Sequence, residues 1–213
     1  MVELGQIQKP EAAEFSGKRK LYCIASVYPV EGAPEEYKEL VGKYWDEVLS
    51  QIEKIETAGK AKKIFCELIP EGKEEVIDFL NKINEGLYRL VRKKLDEGGE
   101  LVPLESEEIF GPYTDWSNCL RVVFTREVFA KVMEFYTELA EKRSRHILEL
   151  IEKKLAGSEA GLLIMKDEDR AKMQFPKDIE VFLITPPSYD DIMRWLRDRF
   201  AGKQSLDRVA RIV

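Results

Sequence analysis

Residues 161–184 read GLLIMKDEDRAKMQFPKDIEVFLI, two apolar runs separated by a charged knot and a proline. The first run, GLLIM, is apolar at every position, so a strand made from it is covered on both faces. That is the condition of a parallel sheet with helices on each side. The second run, continuing to Thr185, predicts another strand, and the knot between them predicts a loop at a strand end.

The same signature recurs toward the amino terminus. KLYCIASVY (20–28) is apolar, aromatic and partly β-branched, and Pro29 stops it. KKIFCELI (62–69) stops at Pro70, and ELVPLES (100–106) supplies a short strand ending at Glu105. Between the strands lie longer stretches with helical spacing. Tyr37, Leu40, Val41, Tyr44, Trp45, Val48, Ile52 and Ile55 make one apolar stripe. Val76, Ile77, Leu80, Ile83, Leu87, Leu90, Val91 and Leu95 read as one further helix closed by Gly98-Gly99. A third helix starts at the cap Thr125 and runs to about Leu155. Residues 106–124, with Phe110, Tyr113 and Trp116 among Gly, Pro and Asn, read as irregular. Ser188 with Asp191 reads as a capping box opening a last helix through Phe200.

Strand, long helix, strand, long helix, strand predicts a single doubly wound α/β domain, its mostly parallel sheet of about five strands flanked by long helices. The domain is expected over 19–202. Residues 1–18 are expected to form a flexible amino-terminal segment and 203–213 a carboxyl-terminal tail. A chain of 213 residues is long enough to bury a core without staples. A net charge of -6, with Lys and Arg spread among Asp and Glu, supplies no basic stripe, so no nucleic acid is expected as partner. Cys23, Cys66 and Cys119 share no metal-type spacing and read as reduced thiols. No apolar stretch reaches membrane-spanning length and no signal-peptide core is evident, so a cytoplasmic protein without a membrane partner is expected. Abundant Lys and Glu with few Asn and Gln lean toward a thermophile.

In open α/β sheets ligands bind outside the carboxyl ends of the strands. The residues there are Tyr28 and Glu31, Glu67, Glu105, and then Asp167, Asp169 and Arg170 of the knot. Glu67, Asp167 and Asp169 are the carboxylates that a hard cation, Mg²⁺ or Mn²⁺, would need. The competing reading is that Asp167, Glu168 and Asp169 only start a short solvated helix. In the third helix Arg143 stands where the apolar register demands a hydrophobic residue. It must therefore either pair with a strand-end acid or hold an anionic ligand with its guanidinium fork. His146, the one histidine, sits one position off that stripe, which suits packing as well as binding. G-x-S-x-G, P-loop, G-x-G-x-x-G and H-E-x-x-H patterns are absent from the sequence.

KLYCIASVY at one end, and KRSRHILELIEKKLAGSEAGLLIMKDEDRAKMQFPKDIEVFLI at the other, resemble a prokaryotic family. In that family the first strand ends in histidine. Its later half runs Arg-Asp or Arg-Asn, a helix, a glycine and an apolar strand, then G-x-x-H, then L-P-x-D-I. The family is similar in turn to the clan of ChaN, TraB and erythromycin-esterase-like proteins. There, strand-end histidines and glutamates form haem-binding, metal-binding or hydrolytic centres. Arg143 matches the family's arginine, Gly161 its glycine, and Phe175, Pro176, Asp178 and Ile179 its L-P-x-D-I, while Glu67 matches a clan glutamate. Tyr28 stands at the first histidine, Lys166 at the motif glycine and Asp169 at the second histidine.

Three functions follow as expectations. The missing histidines favour a non-catalytic protein binding a small anionic ligand or a protein partner in the strand-end cleft. The first alternative is a divalent-metal-dependent hydrolase of esters or phosphoesters, using the strand-end carboxylates. The second is a structural or interaction role through the aromatic 110–116 segment and the amphipathic tail LDRVARIV.

Overall fold

The computed structural model describes residues 17–30, 32–70 and 76–210. Glu31, the greater part of the expected amino-terminal segment, and residues 211–213 lie outside the described residues, as do the side chains of the tail. Five strands, β1 (Arg19–Ala25), β2 (Ala61–Pro70), β3 (Glu100–Glu105), β4 (Ala160–Met165) and β5 (Ile179–Ile184), form one parallel sheet in the order β3-β2-β4-β1-β5. The chain moves one way from β1 through β2 to β3 and then reverses to β4 and β5. Because crossovers are right-handed, that reversal puts the helices on opposite faces.

Helix α1 (Glu35–Ile55), the pair α2 (Val76–Ile83) and α3 (Glu85–Asp96), and α7 (Pro187–Ala210) cover one face. The carboxyl half of α5 (Arg126–Lys154) covers the other. Alternate strand residues divide accordingly: Tyr22, Ile24, Leu162 and Ile164 face α1, while Leu21, Cys23, Leu163 and Met165 face α5. This two-sided burial is why the central strands carry no polar face.

Three local expectations are corrected. The stripe of residues 76–95 is two helices, because Asn84 interrupts it and caps the second: Leu87 N–H donates to its Oδ1, and its Nδ2 donates to the Val27 carbonyl. Residues 106–124 are not irregular but form α4 (Glu107–Val122), despite Pro112 in its interior. Tertiary contact outweighs propensity here, since α4 lies along α5 with Tyr113 stacked on Tyr136 and Trp116 on Phe135. The partner of Ser188 is Glu47 of α1, which accepts from both its N–H and its hydroxyl. Asp191 pairs instead with Arg194, and α7 continues past Phe200 to Ala210.

At 29 residues α5 is about 43 Å long, far longer than the six-residue strand β4 that follows it. Only its second half packs on the sheet, through Ile147 and Ile151, so its first half rises past the carboxyl edge together with α4. Val122, Phe124, Val128 and Phe129 are exposed at the far end of this hairpin. Arg143 falls where α5 passes the sheet edge. No helix among the described residues is long and apolar enough to cross a membrane.

Candidate functional site

The centre of the carboxyl edge is a buried cluster of charge. Arg143, 5% exposed, faces Glu67 from β2 and Glu105 from β3, each 1% exposed, and Asp169 from the short helix α6 (Asp167–Arg170). Its Nε donates to Glu105 Oε2 at 2.9 Å and its Nη2 to Glu105 Oε1 at 2.5 Å, a two-pronged pair. Nη1 donates to Asp169 Oδ2 at 3.1 Å and Nη2 reaches Glu67 Oε2 at 3.4 Å. The Tyr113 ring lies 5.1 Å from the guanidinium carbon. Burial alone would favour a neutral Arg143, but Glu105 and Glu67 more than offset it and hold the cation firmly charged.

The backbone explains how two strand ends reach one guanidinium. Between Cys66 and Pro70 the β2–β3 register shifts, and Leu68 adopts a left-handed φ of 63°, unusual for a leucine. Its N–H turns to Glu105 Oε1 at 3.3 Å, which fixes the carboxylate against Arg143. Backbone strain of this kind collects where surrounding structure over-determines it, as it does here.

Around this centre the polar groups continue on both sides. Ser26 Oγ, just past β1, donates to Glu67 Oε1. Burial pushes the Glu67 carboxyl up; the Ser26 hydrogen bond, Arg143 and a backbone hydrogen bond from Lys166 oppose the rise without cancelling it. Tyr28 is beside Ser26, and its buried hydroxyl makes no hydrogen bond of acceptable geometry among the described residues. Burial, then Cys66 and Glu67, push that phenol up, so it keeps its proton. On the α5 side, Tyr113 OH donates to Asp169 Oδ2 at 3.3 Å and lies 3.2 Å from Tyr136 OH.

Two cavities open on the cluster and a third lies beside it. A polar one of about 130 Å³ lies under α4, lined by Thr114, Ser117, Asn118 and Arg121 with Lys166 and Glu67. A larger groove of about 720 Å³ runs along α5 past Met133, Tyr136, Ala140, Leu148 and Met173; the two share Tyr113, Arg143 and Asp169. A third, of about 250 Å³, lies on the α1 side against Ser26, Tyr28 and Lys166.

The expected site residues thus separate. Tyr28, Glu67, Glu105, Arg143 and Asp169 come together; Asp167 and Arg170 do not join them. Asp167 Oδ1 accepts from Arg170 Nε at 2.8 Å and lines the α1-side cavity with Tyr189. The reason is helical geometry, since positions two apart on a helix point about 200° away from each other. The expected ligand set Glu67, Asp167 and Asp169 is therefore split. Glu67 and Asp169 converge, with Glu105, on the Arg143 guanidinium. Among the described residues no group of three or more His, Cys, Asp or Glu side chains is arranged to hold a metal ion. His146 is half-buried on α5 and lines none of these cavities.

Of the two readings of Arg143, pairing with strand-end acids is the one found: four hydrogen bonds to carboxylates use four of its five N–H donors. Sequence reasoning missed Ser26, Arg121 and the part played by Tyr113. Arg121 and Tyr113 were legible only by reading 107–122 as a helix, whose face at 110, 113, 114, 117, 118 and 121 lines the polar cavity. Comparison with models of protein families, with curated proteins and with solved structures finds no match to this chain.

Proposed function

We propose that this chain binds a small organic anion in the crevice at the carboxyl ends of its strands. The observation that supports it is the polar cavity under α4. Arg121 and Lys166 both line it, and neither makes an ion pair among the described residues, whereas Arg143 in the same wall is neutralised. A carboxylate or phosphate held there would meet two cations together with the polar groups of Thr114, Ser117 and Asn118. The apolar part of such a molecule would extend past Tyr113 into the groove of about 720 Å³, a volume in the ordinary range for small-molecule sites. In this reading Glu67, Glu105 and Asp169 shape the floor rather than bind metal.

Calorimetric titration with inorganic phosphate and with straight-chain carboxylates of increasing length tests it. Saturable binding that tightens with chain length and weakens at least about tenfold in Arg121→Ala and Lys166→Ala is the expected result. Binding that ignores both substitutions, or no binding across the series, removes the proposal.

A further inference from the structure

The contact between Ser26 and Glu67 carries more than a binding role. Ser26 lines the α1-side cavity of about 250 Å³, and its hydroxyl donates to a carboxylate that is almost wholly out of solvent. That carboxylate is itself oriented, by Arg143 Nη2 at 3.4 Å and by the Lys166 backbone. A hydroxyl bonded to a base, with the base held by a third group, is the arrangement that activates a serine. Burial raises the affinity of Glu67 for a proton, which makes it a stronger base than an exposed glutamate. The Tyr28 hydroxyl, which keeps its proton and makes no hydrogen bond of acceptable geometry among the described residues, lies close to Ser26.

From this geometry we infer that Ser26 is an acylable nucleophile with Glu67 as its general base, acting on small esters whose apolar part fits the cavity between α1, α7 and the end of β1. Ser26 Oγ adds to the ester carbonyl carbon as its proton passes to the Glu67 carboxylate. The carbon–oxygen bond to the alcohol then breaks, and Glu67 returns the proton to the departing alkoxide. Water, deprotonated by Glu67, cleaves the acyl-serine and regenerates the hydroxyl. Val27, Ile192 and Leu196 supply the apolar wall, with Tyr37 and Tyr189 beside them. Arg143 is a positioning residue, since it acts on Ser26 only through Glu67.

The test treats the full chain with a fluorophosphonate and, separately, with p-nitrophenyl acetate, locating any adduct by peptide mass spectrometry. The expected result is one adduct on Ser26 and a stoichiometric burst of p-nitrophenolate. Both are lost in Ser26→Ala and slowed at least about 100-fold in Glu67→Gln, the scale of general-base assistance. Glu67→Gln is nearly isosteric, and its melting curve is recorded alongside to show that it folds. The adduct is read on Ser26, which does not line the anion cavity under α4, so failure of the anion proposal leaves this one standing. An unmodified Ser26 in the folded wild type, or equal labelling rates in wild type and Glu67→Gln, overturns it.

Discussion

Replacing Arg143 by Met removes a guanidinium and leaves carboxylates facing one another in a place where water does not reach. Glu67 and Glu105 are each 1% exposed, so neither recovers its lost partner by turning to solvent. Four hydrogen bonds disappear, each to a carboxylate. At about 1.5–3 kcal/mol apiece their simple sum exceeds what one substitution delivers, because they share one charge and one geometry. Breaking a buried ion pair by deleting one partner costs about 3–5 kcal/mol, and about 4 kcal/mol is the figure expected here. For a chain of this size that lowers the melting temperature by about 8–16 °C. Urea denaturation at pH 7 measures the free energy and calorimetry the temperature. The triple variant Arg143→Met, Glu67→Gln, Glu105→Gln serves as the control, since it removes the uncompensated charge and should recover most of the loss. A cost for Arg143→Met below about 1 kcal/mol, or a triple variant no more stable than the single one, would refute the reasoning.

Glu67→Gln reports on the same cluster through pH. A carboxyl whose pKa is raised by folding stabilises the native state below its unfolded value of about 4.3 and loses that contribution as pH climbs through the folded value. Among Ser26, Tyr28, Cys66, Glu105, Arg143 and Lys166, which surround it, the variant should therefore gain on the wild type between pH 4 and pH 8 in parallel denaturation series; a constant difference would contradict this. Gly86→Ala places a Cβ 2.3 Å from Trp45 Cγ, where α3 meets α1, and should destabilise by about 3 kcal/mol, read from the shift in urea midpoint. With Cys23 and Cys66 buried and their thiols pushed up by that burial, a disulfide reagent should modify Cys119 alone in the native protein and all three cysteines in urea.

Local pattern carried much of this architecture. Strands that are apolar on both faces, separated by long amphipathic stretches, have no stable arrangement except a covered parallel sheet, and the sheet found is parallel throughout. The register of α5 was equally plain, and it marked Arg143 as a charge in a buried row before any partner was known. Two stretches were not legible in this way. Asn84 is a good cap residue but also occurs inside helices, and only its bonds to Leu87 and Val27 decide that the chain breaks there. The 107–122 segment has a poor helical composition, and its helix exists because Tyr113 and Trp116 stack on α5.

What the sequence determined by itself was therefore the set of strand ends, the acids on them and the misplaced arginine, all of which follow from short-range periodicity. Which acids share the arginine was decided only by tertiary structure. Glu67 and Glu105 are brought together by the register shift at Leu68, Asp169 is turned toward them and Asp167 away because the two are two positions apart on one helix, and Ser26 meets Glu67 across 41 residues of chain. Convergence of that kind depends on sheet order and on the reach of individual side chains, and neither is written in the spacing of residues along one strand or helix.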